Sequence, residues 1–307
     1  MPKKRSRDFD VAIIGGGPAG LSAAITLSRA RRRVIVCDHG RPRNYAAKAV
    51  HGFLGLDGIE PNALRRRAAE ECYSYGVSFE HDEVIEASCP ASQGKSLFEV
   101  KLKEGRTIRA RKLLLATGVK DQLPELPGLE NFYGTSIHHC PYCDGWEHRD
   151  KRLVAHGKGP SAAKLAVTLL QWSPSVTCCT DGEALDASET RRLQQYGIEY
   201  RGEHIGALAG NGGQLEEVHF VTGQPLQCDA LFFSAGQGQR SSLPQMLGCK
   251  CDEDGLIKSE GKQGSGVCGL FLAGDVDGDV QFAIVAAAEG AIAATAINTE
   301  LQEEDYP

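Results

Sequence analysis

The chain has 307 residues, among them 36 glycines, with 40 acidic against 34 basic residues and a formal net charge of −6. A length of this order points to two domains, at about 100–200 residues each. The acidic balance excludes nucleic acid as the main partner, because phosphate binding needs a basic field. Eleven cysteines, an odd number without an export-type leader, argue against a disulfide framework and for mostly reduced thiols in the cytoplasm. The basic start (Lys3, Lys4, Arg5, Arg7) reads as a solvated tail, and no apolar leader core follows it. The longest apolar run, residues 282–297, contains Glu289 and falls short of the roughly 20 residues of a membrane span, so a buried helix is expected and no transmembrane segment.

In chain order, residues 9–14 are short, apolar and β-branched, as in a buried strand. A glycine run at 15–20 breaks it, a helical pattern covers 21–29, and 33–37 predicts a second strand. Residues 62–75 predict an amphipathic helix with a basic face of Arg65, Arg66 and Arg67. Residues 98–103 and 107–110 alternate like a hairpin, and 112–116 is a further apolar strand ending at Thr117-Gly118. Pro124, Pro127 and Gly128 mark a crossing into a second domain. There, strand 152–156, the loop Gly157-Lys158-Gly159, helix 162–171 and strand 175–179 form a second βαβ unit. Strands follow at 230–234 and 270–273, then a long Ala-rich helix at 283–301. The two βαβ units lie too far apart for a solenoid repeat. The reading is an α/β chain of two Rossmann-like three-layer dinucleotide-binding domains, the second inserted into the first: residues 1–119 and 237–307 around residues 120–236.

Gly15-Gly16-Gly17-Pro18-Ala19-Gly20 has the GxGxxG form, follows a strand and opens a helix. Gly15 would make the tight turn, Gly17 admit a pyrophosphate and Gly20 allow helix–strand contact, while the helix N-terminus favours phosphate charge. Asp38, 23 residues after Gly15, sits where an acid accepts from a ribose hydroxyl. The loop alone does not separate FAD from NAD. Two later strand ends favour FAD: Ala116-Thr117-Gly118, and Ala273-Gly274-Asp275, whose acid suits the ribityl–phosphate region of a flavin.

Cys140-Pro141-Tyr142-Cys143 has redox-motif spacing, with Asp144 placed to move a proton and His138 and His139 just upstream. A zinc site from His139, Cys140, Cys143 and His148, and a pair of inert core thiols, are the alternatives. Cys178-Cys179 and Cys249-Lys250-Cys251 read as ordinary reduced cysteines.

These motifs, in this order along nearly the whole chain, resemble the low-molecular-weight thioredoxin reductases. The resemblance implies an FAD-dependent disulfide oxidoreductase, a homodimer, and a small dithiol or thioredoxin-like protein as partner. It implies that Cys143 lies nearer the flavin, Cys140 faces the external substrate and Asp144 is the proton donor. Pro18, Ala19, Asn44, His51 and the backbone of Val84 join the cofactor-binding set, as do Gln281, Phe282 and Ala283, where the family has Arg-Gln-Ala. The chain departs from the NADPH-using members after the second strand of the inserted domain. Arginines that would pair with a 2′-phosphate are replaced by Cys178-Cys179-Thr180-Asp181-Gly182. Asp181, 24 residues after Gly157, has ribose-acceptor spacing and would repel a 2′-phosphate. The second pocket, with Gly157, Gly159 and Asp181, is thus read as suited to NADH, a second FAD or nothing, with NADPH disfavoured. The expected activity is that of a dithiol oxidase or a diflavin-linked enzyme. An NAD(P)H-dependent thioredoxin reductase and a non-catalytic flavin redox sensor are the alternatives.

Overall fold

The computed structural model describes residues 9–90, 97–253, 255–278 and 280–307. In chain order the first elements are β1 (Phe9–Ile14), α1 (Pro18–Arg29), β2 (Val34–Cys37), α2 (Pro61–Ser74), β3 (Ser78–Glu80), β4 (Val84–Ser88), β5 (Phe98–Leu102), β6 (Thr107–Leu115) and β7 (Val119–Gln122). Then come β8 (Ile137–His138), α3 (Pro141–Asp144), β9 (Leu153–His156), α4 (Pro160–Leu169), β10 (Val176–Cys179), α5 (Ala187–Gln195) and β11 (Glu199–Arg201). The last are β12 (Ile205–Asn211), β13 (Gln214–Phe220), β14 (Leu226–Gln227), β15 (Ala230–Phe233), β16 (Gly236–Gln239), α6 (Leu243–Met246), β17 (Leu270–Leu272) and α7 (Ala283–Asp305).

Two compact units result: Met1–Tyr45 with Gly52–Lys120 and Gln237–Pro307, and Ala46–His51 with Asp121–Gly236. The ribbon of β7 and β16 carries the chain across both crossings. The short segment Ala46–His51 groups with the second unit although it lies within the first stretch of sequence.

The first unit is built on a seven-stranded sheet, ordered β3-β2-β1-β6-β5-β4, with β17 also on β6. β1 pairs in parallel with β2 and β6, and β17 pairs in parallel with Leu113–Leu115, while β5 runs antiparallel to the start of β6. The alternating run at 107–110 and the apolar run at 112–116 are therefore one strand, not two. Its first half is exposed on alternate residues against β5, and its second half is buried on both faces between β1 and β17. That change of burial mid-strand switches the pattern from alternating to continuous without a turn. α1 and α7 cover one face through Ala23, Ala24, Leu27, Ala293, Ala294 and Ile297, all buried. Small residues let the helices close: a Cβ on Gly290 would lie 2.0 Å from the Ala19 carbonyl oxygen.

α7 is long and apolar enough to cross a membrane by length and composition. One side of it belongs to the core, however, and Glu289 accepts a hydrogen bond from the Gly274 N–H at 2.6 Å. Its C-terminal end is tied down by charge. Lys112, 2 % exposed, binds Glu300 and Glu304, Arg111 binds Glu304 and Asp305, and Arg32 binds Asp305. Burial alone would raise the Glu304 carboxyl, but hydrogen bonds from Lys112 and Arg111 outweigh it and hold the group below its usual range. Hydrogen bonds from Arg32 and Arg111 lower Asp305 likewise. Carboxyls depressed in the folded state stabilise it above the unfolded-state values of about 3.9–4.3 and lose that contribution as pH falls through the folded-state values. Thermal melts should thus show stability falling below about pH 4.5. A Glu304→Gln/Asp305→Asn variant should be less stable at neutral pH and show a shallower acid dependence.

The second unit has a five-stranded parallel sheet, β11-β10-β9-β15-β8, and an antiparallel meander, β12-β13-β14. α4 packs on this sheet through Ala162, Ala163, Ala166 and Leu169. Each unit is thus an α/β layer structure of the dinucleotide-binding kind.

Candidate active site

β1 delivers the chain to the glycine loop and α1 leaves it. At Gly15, φ is +114° and a Cβ would fall 2.2 Å from the Ala116 carbonyl oxygen. At Gly20 a Cβ would fall 1.9 Å from the Gly15 carbonyl oxygen. Both glycines are therefore required by the protein's own backbone. Gly17 differs: a Cβ there meets nothing within 4 Å, so the fold itself does not need glycine at this position. Gly17 is also the N-cap of α1, Pro18 follows it, and no side chain caps the helix. A helix N-terminus left in this way attracts an anion.

Asp38 follows β2 and lies against Gly16, where a Cβ would meet its carboxylate at 2.9 Å. Arg65 of α2 binds the Asp38 carboxylate and donates to the Gly16 carbonyl at 3.2 Å. On the next strand end, Gly118 has φ +66°, and a Cβ there would lie 4.0 Å from the Cβ of Asp275. The Thr117 hydroxyl is buried without a hydrogen-bond partner. Arg43 donates to Asp275 at 2.7 Å and to Gln281 at 2.6 Å, and Gln281 pairs with Gln237. The first unit thus gathers Gly15–Gly20, Asp38, Ala116–Gly118, Gly274, Asp275 and Gln281 at the ends of neighbouring strands and the start of α1. Phe282 is the N-cap of α7 and Ala283 its first residue. Asn44 is exposed in a turn, and Val84 opens β4. His51 groups with the second unit, its Nε2 3.6 Å from Glu147.

Cys140 and Cys143 form a disulfide, with Cα atoms 5.3 Å apart. Cys140 is the N-cap of α3, and the Cys143 N–H donates to the Cys140 sulfur at 3.1 Å. After reduction the same N–H would favour a thiolate on Cys140. With both sulfurs joined, neither is available as a zinc ligand. Burial pushes the buried thiols up, Cys37, Cys178 and Cys228 to about 12, so these stay protonated and inert. Tyr142 and Trp146 are exposed beside the disulfide, and Trp172 packs edge-on to Tyr142 at 5.3 Å.

The model of the pyridine nucleotide-disulphide oxidoreductase family matches residues 9–290. The chain belongs to this family. It is a thioredoxin reductase-like member. Thioredoxin reductase tcpT of Claviceps purpurea is 31% identical, over 88% of this chain and 87% of that protein. The thioredoxin reductase of Bacillus subtilis is 26% identical, over 96% of this chain and 95% of that one. The crystal structure of HlmI superimposes with a TM-score of 0.94 at 32% identity, covering 97% of this chain and 94% of the other.

The oxidoreductase family binds FAD, and the residues present fit it. Gly17 leaves room the protein does not use, α1 offers an uncapped N-terminus to the pyrophosphate, and the orphaned Thr117 hydroxyl lacks a partner within the protein. Asp38 would hold the ribose and Asp275 the ribityl–phosphate region.

The second loop of the oxidoreductase is different. Gly159, the N-cap of α4, has φ +49°, and the Glu183 carboxylate stands 3.1 Å from where its Cβ would be. Gly157 is held close to Ser161, whose hydroxyl a Cβ would meet at 2.9 Å. Asp181 has the spacing of a ribose acceptor, but its carboxylate accepts from the Ile205 N–H at 3.0 Å and lies 3.4 Å from His204. Its backbone is left-handed, with φ +51°, and the His204 ring covers Gly182. Motif reading missed Arg43, Arg65, Gln237 and Glu183. Each is remote in sequence from the motif it serves, and only the Arg65–Arg67 run carried a signal.

Proposed function

We propose that the chain is an FAD-dependent thiol–disulfide oxidoreductase that exchanges electrons between Cys140–Cys143 and an external dithiol or disulfide, without NADPH as its donor. One observation carries this reading: the second nucleotide loop is lined by acid where NADPH would bring phosphate. Glu183 stands beside the N-cap of α4, Asp181 follows β10, and no arginine lies between Cys178 and Ala187. Glu183 beside the N-cap of α4 repels a pyrophosphate, and an acid at the ribose position repels a 2′-phosphate. The same argument disfavours NADH and a second FAD, so heat-released flavin should amount to one per chain.

The chain's own residues supply the rest. Cys140, whose sulfur accepts the Cys143 N–H, would be the nucleophile toward substrate, Cys143 its internal partner, and Asp144 the proton-moving acid. FAD, when bound, supplies or stores the electron pair. A small dithiol or a thioredoxin-like protein is the proposed partner, a homodimer the proposed assembly, and the cytoplasm the proposed location, which suits a chain with nine cysteines outside its one CxxC disulfide.

The test reads the disulfide directly. Oxidised protein is incubated under argon with NADPH, with NADH, or with a small dithiol, then alkylated and mapped by mass. Free thiols at Cys140 and Cys143 should follow the dithiol and not the nicotinamides. Full reduction by NADPH would overturn the reading.

A further inference from the structure

His138 and His148 are both buried, each 5 % exposed, and their Nε2 atoms lie 3.0 Å apart. The other nitrogen of His138, Nδ1, is 3.3 Å from Oδ1 of Asp144, the acid that follows Cys143. Three pieces of backbone set this geometry. β8 carries His138 and is locked in parallel register on Phe232 of β15, α3 carries Asp144, and the turn Trp146–His148 brings His148 back over β8. The Phe232 ring packs against both imidazoles, at 5.5 and 6.1 Å between centroids. The charged groups acting on His148 are Lys151, Asp144 and Asp229, besides His138 itself.

We propose that His138 is a positioning residue for the redox chemistry, holding one exchangeable proton jointly with Asp144, and that His148 is its buried neutral partner. The proposal rests on the dithiol reading above. Two Nε2 atoms at hydrogen-bonding distance need one hydrogen between them, and either ring can supply it. If His138 is neutral with its hydrogen on Nδ1, it donates to Asp144 and accepts from His148. If His138 takes up a proton, it donates on both sides and His148 accepts. The hydrogen bond survives both states because His148 can move its own hydrogen to Nδ1, which is buried and has no hydrogen-bond partner. Burial, His138 and Lys151 hold the His148 imidazole down to about 4, so His148 stays neutral beside the Asp144–His138 contact.

Such a pair can serve the exchange reaction by taking up a proton. A substrate thiolate bonds to the Cys140 sulfur as the Cys140–Cys143 bond breaks, leaving Cys143 as a thiolate. The second substrate thiol must then lose its proton to attack the mixed disulfide and expel Cys140 as a thiolate. The substrate gives up two electrons, which reduce the Cys140–Cys143 bond. The proton of the second thiol goes to the Asp144–His138 pair, and the reverse reaction returns it.

The test measures the rate of exchange between a small dithiol and the oxidised holoenzyme across pH, by rapid quench with an alkylating agent and mass analysis at Cys140. Asp144→Asn should slow exchange about 10²-fold, within the usual range for a lost acid–base group. His138→Gln should slow it about tenfold and move the rate–pH profile about one unit lower. His148→Phe keeps a ring in place, removes the Nε2 partner, and should move the profile the same way by less. Asp144→Asn/His138→Gln should be no slower than Asp144→Asn alone, since the two act as one unit. Unchanged profiles in His138→Gln or His148→Phe, or multiplicative losses in the double variant, would overturn the proposal. Cys140→Ser must abolish bleaching of the bound flavin by the dithiol. If it does not, the dithiol reading itself fails, whatever His138 does.

Discussion

Valine at position 17 is expected to leave the chain folded and strip it of flavin. The reason is the contrast among three glycines of one loop. A side chain at Gly15 would collide with the Ala116 carbonyl and force a left-handed residue to carry a Cβ, and one at Gly20 would collide with the Gly15 carbonyl. Strain of this kind costs about 1–3 kcal/mol, and overpacking adds about as much. Gly15→Val and Gly20→Val should therefore lower the urea midpoint of the flavin-free protein. At Gly17 nothing in the chain lies within 4 Å of a Cβ, so Gly17→Val should keep that midpoint. The valine methyls would occupy the approach to the α1 N-terminus, where pyrophosphate must come within hydrogen-bonding distance of backbone N–H groups. Flavin affinity should fall at least about 100-fold, on the order of two or more charge-assisted hydrogen bonds. Flavin per chain after gel filtration, read beside urea melts of the flavin-free proteins, checks both halves.

Serine at either position of the disulfide should end turnover, and the two variants should fail differently. Cys143→Ser leaves Cys140 at the N-cap of α3, with the residue 143 N–H still directed at its sulfur. It should attack a substrate disulfide and stop as a stable mixed disulfide, because the resolving thiol is gone. Cys140→Ser should form no such adduct at residue 140. Intact-mass measurement after incubation with a small disulfide separates the two. The six buried cysteines should not substitute, since burial raises their thiols above the range in which thiolates form.

The parts of this fold that were legible in sequence are those in which one local rule decides. β1, β2, β9 and β10 are short, largely buried apolar runs, β1 and β9 lead straight into glycine, and the four strands carry the motif-bearing ends of both sheets. α7 is a continuous Ala-rich pattern, though its last turn, through Asp305, is polar and held by Lys112, Arg111 and Arg32 rather than by periodicity. The meander β12–β14 was not legible. Gly206, Gly210, Gly212 and Gly213 interrupt its alternation, and register shifts break the pairing twice. β3 and β8, of three and two residues, are too short to carry a period and exist only through their neighbours β2 and β15. At the site, the glycine loop and the Cys-x-x-Cys motif were legible because each is contiguous. The pairing of Arg43 with Asp275, 232 residues apart, and of Arg65 with Asp38 was not, because a long-range ion pair leaves no spacing to read. Asp181 shows the limit of spacing as evidence: the interval suits a ribose acceptor, but a left-handed backbone turns its carboxylate onto Ile205.

The central claim is that electrons enter or leave this flavin through Cys140 and Cys143 and not through NADPH. Its most direct test is the visible absorbance of oxidised flavin in the purified protein under argon, followed on mixing with a small dithiol and, separately, with NADPH. The account predicts bleaching by the dithiol in the wild-type protein, none in Cys140→Ser, and no rapid bleaching by NADPH in either. Rapid bleaching by micromolar NADPH, or a band left unchanged by the dithiol, would contradict it.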